Sequence, residues 1–70
     1  MKTISKLEER IAELNRNLDE YRHEWNTAKK LGFSAEERRI EIDISWTKAH
    51  RNELQDIKNE LQKELQKGAD

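Results

Sequence analysis

At 70 residues the chain has room for one small domain, and a single apolar core is marginal at that size. Hydrophobic residues make up 33% and charged residues 41%, with fourteen Lys and Arg against fifteen Asp and Glu for a net charge of −1. That balance excludes a generic polyanion binder and an acidic nucleic-acid mimic alike, and the absence of cysteine excludes a disulfide framework or a thiolate metal site.

Disordered chains are also rich in charge, but they enrich Pro and Gly and lack periodic apolar residues. This sequence has no proline, two glycines and a regular apolar repeat, the composition of long helices. It opens on Met1-Lys2-Thr3-Ile4-Ser5 with no apolar stretch of signal-peptide length. No run approaches the ~18 apolar residues of a membrane span. The expectation is a small soluble cytoplasmic protein, complete from Met1, without a membrane partner.

The first element is a helix over about residues 4–31. Its apolar residues, Ile4, Leu7, Ile11, Leu14, Leu18, Tyr21, Trp25 and Ala28, alternate spacings of three and four. This is the a/d seam of a heptad repeat, and its period implies left-handed supercoiling against a partner helix. Apart from Ala12 and Leu31 the remaining faces are polar, so this helix has one narrow sticky stripe.

A turn over residues 32–34 follows. Lys29 and Lys30 place positive charge in the last helical turn, Gly32 suits the left-handed C′ position, and Phe33 is placed to pack back on Ala28. Ser34 reads as the cap of a second helix, with Glu37 completing a capping box and Glu36 at the positive dipole end. Stop and start signals this close predict a tight αα-turn.

The second helix is expected over about residues 35–67, ending at Gly68. Folded back, it pairs residues whose numbers sum to roughly 66, because both helices rise equally per residue. Trp25 then meets Ile40, Tyr21 meets Ile44, Ile11 meets Leu54 and Ile4 meets Leu61. The fold class is therefore all-α, a single antiparallel two-helix hairpin (coiled coil) over residues 1–70, with dimerisation to a four-helix bundle as an extension.

The second helix departs from a clean mirror. Its stripe through Ile40, Ile44, Leu54, Leu61 and Leu65 is interrupted by Thr47, Arg51 and Lys58. At roughly 100° per residue, Ile42, Trp46, Ala49 and Ile57 fall on a flank away from the stripe's centre, where one partner helix cannot cover them. A tryptophan with Ile42 and Ala49 within two turns marks this flank as a partner-binding surface. Arg51 comes opposite Asn15, with Asn17 and Thr47 nearby, and such a polar layer fixes register at some cost in stability. Lys58 comes opposite Glu8, where snorkelling of the lysine stem is the simpler reading.

No catalytic constellation, cofactor motif, metal site or small-molecule cleft is expected. Glu20 and His23 have the Glu-x-x-His spacing of di-iron bundles, yet with Tyr21 at d they fall at the outward c and f positions. No glycine-rich phosphate loop exists.

The function expected is non-enzymatic: a protein–protein interaction module that self-associates as a homodimer or binds a larger protein as inhibitor, adaptor or assembly factor. A phage or mobile-element origin fits such a role. Two rival readings remain, a purely structural spacer and a Rop-like RNA-binding bundle. The second would grip nucleic acid with Lys29, Lys30, Arg38 and Arg39 at the turn, where basic residues exceed acidic ones by only two over residues 22–51.

Overall fold

The computed structural model describes residues 2–68, and these form two α-helices in contact, α1 (Lys2–Leu31) and α2 (Ser34–Gly68). The turn between them is built as a helix stop. Gly32 adopts φ +75, the left-handed region that other residues enter at a cost. The Phe33 N–H reaches back to the Ala28 carbonyl at 2.9 Å, and the Gly32 N–H donates to the Lys29 carbonyl at 3.2 Å. These are the two backbone bonds of a Schellman motif, which satisfies carbonyls that the end of α1 would leave unpartnered.

The start of α2 differs from the expected capping box. The Glu37 N–H donates to the Phe33 carbonyl at 3.0 Å, not to the Ser34 hydroxyl, and Ser34 is already helical. Phe33 thus serves as the last residue of one motif and the backbone N-cap of the next. The connection is tighter than residues 32–34 by one position, which leaves Ser34 no non-helical backbone from which to cap. At its other end α1 starts at Lys2, ahead of the apolar pattern, since nothing there breaks a helix before Ile4. Phe33 stays 54% exposed, so its ring covers Ala28 only in part.

Two hydrogen bonds between the helices fix their register. Trp25 Nε1 donates to Glu41 Oε1 at 3.1 Å, and Arg51 Nη1 donates to Asn15 Oδ1 at 3.1 Å. In both pairs the residue numbers sum to 66, as equal rise per residue from a tight turn requires. The described chain is a rod of 58 × 15 × 12 Å, one helix pair thick.

Burial follows the heptad on both helices. On α1 the eight apolar seam positions are all buried or half-buried, and Leu18, at 1% exposure, is the deepest. On α2 the covered positions are Glu37, Ile40, Ile44, Thr47, Arg51, Leu54, Lys58 and Leu61, again alternating three and four, with only Gln55 outside that series. Just one of them, Ile40, is fully buried. The reason is chemical: the polar residues of the α2 seam lay aliphatic stems over the α1 stripe while their polar ends reach solvent. The expected stripe ends early, because Leu65 is 47% exposed. At this register its counterpart is position 1, which lies outside the described residues.

Gly32→Ala should lower stability by about 1–2 kcal/mol through the positive φ alone, since an added Cβ meets nothing within 4 Å. Gly32→Asn should cost less, and Ser34→Ala no more than about 0.5 kcal/mol. Urea unfolding followed by circular dichroism checks the order. A Ser34→Ala loss as large as that of Gly32→Ala would restore the hydroxyl cap.

Candidate functional site

The largest departure from a covered apolar surface is on α2. Trp46 is 74% exposed, Ile42 57%, and Ala49 is exposed beside them. Their spacing of four and three places them along one outer line of α2, on the side away from the seam. Trp46 with Ile42, Ser45, Glu41 and Arg38 lines a shallow groove of about 450 Å³, and Trp46 with Ser45 and Ala49 lines the next one along the helix. Ile57, expected on the same flank, stands apart. It is 43% exposed, lines neither groove, and lies two turns beyond Ala49 and rotated toward the seam. The surface is therefore a three-residue apolar line and not a four-residue one.

The expected polar layer is brought together in part. Arg51 is half-buried and donates to Asn15 and, at 3.3 Å, to Asn52. Thr47 is half-buried, but its hydroxyl donates to the Asp43 carbonyl at 2.7 Å, within its own helix. Asn17 is half-buried and Asn15 exposed. The layer reduces to one Arg51–Asn15 bond between helices beside a threonine that satisfies itself by bonding back along α2. No buried side-chain nitrogen or oxygen among the described residues lacks a partner.

The three ion pairs among the described residues all link positions i and i+3 of one helix: Arg10–Glu13 and Arg39–Glu36 at 3.1 Å, and Arg22–Asp19 at 3.9 Å. Lys58 takes part in none of them although it is half-buried at a seam position, in keeping with snorkelling.

The four basic residues near the turn do not converge. Lys29 lies over the Trp25 ring with Nζ 4.8 Å from its centroid, and Arg39 pairs with Glu36. Arg38 borders the Trp46 groove. Lys30 follows the seam residue Ala28 by two positions, on the outward side of α1, so it and Arg39 face opposite sides of the rod. Glu20 and His23 are exposed and border a groove on the surface of α1. Among the described residues no group of three or more His, Asp or Glu is placed to hold a metal ion, and no helix is long and apolar enough to cross a membrane.

A second apolar cluster lies at the turn. Leu31 is 62% exposed and, with Phe33, Ala28, Ile40 and His23, lines a groove of about 380 Å³. The sequence signal for it was present: Leu31 is off the seam of the first helix, and a C″ residue projects beyond the helix end.

The chain matches no family model, no curated protein and no solved structure. Inference about function thus rests on the chain's own surface.

Replacing Arg51 by Leu should raise stability by about 1 kcal/mol, because the seam gains apolar burial and loses no buried charge partner. Asn15→Ala should lower it by about 0.5–1 kcal/mol through loss of the bond to Arg51. Urea midpoints measured at equal unfolding slope test both, and a less stable Arg51→Leu variant would show that the polar contact holds the register.

Proposed function

We propose that this chain is a non-enzymatic protein-interaction module, a helical hairpin that presents the outer face of α2 to another protein chain. The observation that carries this reading is Trp46, 74% exposed in line with Ile42 and Ala49 on the side of α2 that α1 does not cover. A tryptophan is among the residues most concentrated at the energetic centres of protein interfaces, since it desolvates a large area at small entropic cost. Left in water the same side chain contributes little to a chain whose buried core among the described residues is six side chains.

The architecture supports a non-enzymatic role. A rod one helix pair thick carries its charged side chains on open surface, with no buried polar residue among those described. Catalysis gathers such groups in a cleft and shields them from water. A small hairpin that acts by occupying a surface suits an inhibitor, an adaptor or an assembly factor, and self-association is one way of meeting the same need.

The test compares two tryptophans. Trp46→Glu should leave the hairpin helical and abolish capture of the protein that wild type retains, or abolish self-association. Trp25→Glu, on the half-buried seam, should unfold the hairpin itself. Circular dichroism reads the fold, and pull-down with mass measurement in solution reads association. Should Trp46→Glu keep full stability, the same mass and the same partners, the outer face is idle and the chain is a spacer.

Nucleic-acid binding through Lys29, Lys30, Arg38 and Arg39 is expected to be absent at physiological salt, given their dispersal. A salt-sensitive micromolar gel shift with RNA or duplex DNA, lost on reversing those four charges, would displace the protein-interaction reading.

A further inference from the structure

We propose that the partner of this face is a second copy of the chain, paired antiparallel through α2 about a twofold axis at Ser45–Trp46. The proposal rests on the reading of the face as an interaction surface and names what covers it.

The argument is the order of residues along that face. Arg38 and Arg39 stand at its N-terminal end, Ile42 and Ala49 flank Ser45 and Trp46 at its middle, and Glu53 and Asp56 stand at its C-terminal end. All of them are exposed. Ile42 and Ala49 are equidistant from the Ser45–Trp46 junction, and so are Arg38 and Glu53. A twofold axis at that junction brings each Ile42 against the other copy's Ala49 and each Arg38 against the other copy's Glu53, with Arg39 and Asp56 close by, and it sets the two Trp46 side by side across the axis. Each Ile42 meets a small residue, which lets the two helices approach, and the arginine end of one copy lies along the acidic end of the other.

An isologous interface demands this kind of self-complementarity, and a surface made for an unrelated partner does not. A parallel pairing fails on the charges: arginines would meet arginines and acids would meet acids. The charges are available for the purpose. None of the three ion pairs among the described residues uses Arg38, Glu53 or Asp56, and the Arg39–Glu36 pair is an exposed contact that water already competes for. Because the face lies away from the seam, the four helices come to lie in a row, with the two copies of α2 inside and the two copies of α1 outside.

The experiment is sedimentation equilibrium of four chains: wild type, Arg38→Glu with Arg39→Glu, Glu53→Arg with Asp56→Arg, and the variant carrying all four changes. The sites are exposed, and circular dichroism confirms that each chain stays helical. Wild type should dimerise by about 0.5 mM, a millimolar-to-micromolar association of the strength a small interface supports. Each double variant should dimerise at least about tenfold more weakly through like-charge contacts, and an equimolar mixture of the two should pair again. The fourfold variant should recover wild-type self-association to within about threefold, because reversing both ends restores every opposite-charge contact. A parallel dimer keeps like charges together in all four chains, so double variants that dimerise as well as wild type overturn the proposed geometry. A monomeric wild type at about 0.5 mM overturns the second copy as the occupant. The interaction reading then stands or falls by itself on whether Trp46→Glu abolishes capture of a different protein.

Discussion

The left-handed backbone at Gly32 closes the Phe33-to-Ala28 bond, and with that bond closed only two residues separate the helices. A connection this short gives the second helix no freedom to slide along the first. Register is then set by arithmetic, because both helices rise by the same amount per residue. The Trp25–Glu41 bond near the turn and the Arg51–Asn15 bond at mid-helix obey the same sum of residue numbers, so the register set at the turn persists to the middle of the rod. Which side chains of α2 lie on the seam follows from the turn, and so does which are turned away from it.

The seam that results is unequal. α1 contributes eight apolar positions without a gap, whereas half of the eight seam positions on α2 are Glu37, Thr47, Arg51 and Lys58. Leu14 and Leu18 are nonetheless the two most buried leucines of α1, at 5% and 1%, although the register sets them near Arg51 and Thr47. Long polar side chains can shelter an apolar stripe with their stems as long as their ends find water or a local acceptor. Arg51 does so on Asn15 and Asn52, and Thr47 on the Asp43 carbonyl. Such a seam desolvates the first helix well and the second only partly. It specifies a register better than it stabilises a fold.

Much of the architecture was legible because it depends on periodicity and on one glycine. Eight residues of the first helix alternate three and four, and Gly32 ends that pattern where no other residue would readily turn. The details that escaped reading depend on backbone bonds that side-chain identity does not determine. Ser34 has the composition of a cap, but the Schellman motif had already placed the Phe33 carbonyl where the Glu37 N–H could reach it. Glu37 was read as part of that cap and not as a seam residue, since a carboxylate carries no apolar signal. Leu65 fits the repeat yet stays 47% exposed, because the pattern on one helix does not determine what the other lays over it. Ile57 was grouped with Trp46 by angle alone, and its distance along the axis separates them.

The two faces of α2 depart from the usual order of an amphipathic helix. Its seam toward α1 carries Arg51, Lys58 and Thr47, while its outward line carries Trp46, Ile42 and Ala49. On stability alone the exchange of those residues would give a stronger hairpin with an ordinary charged exterior. An exposed tryptophan gains nothing by itself, and polar residues on a short seam weaken a core that has only six buried side chains among the described residues. The arrangement makes physical sense when the outer face is counted as a second apolar surface that the single chain does not cover. Covering it would bury Trp46 and Ile42, each contributing roughly 1.5–3 kcal/mol on full burial, an amount comparable to what the polar seam positions forgo. On the proposed reading, stability that the hairpin lacks as a monomer is supplied by association, so that folding and binding are linked through the same helix.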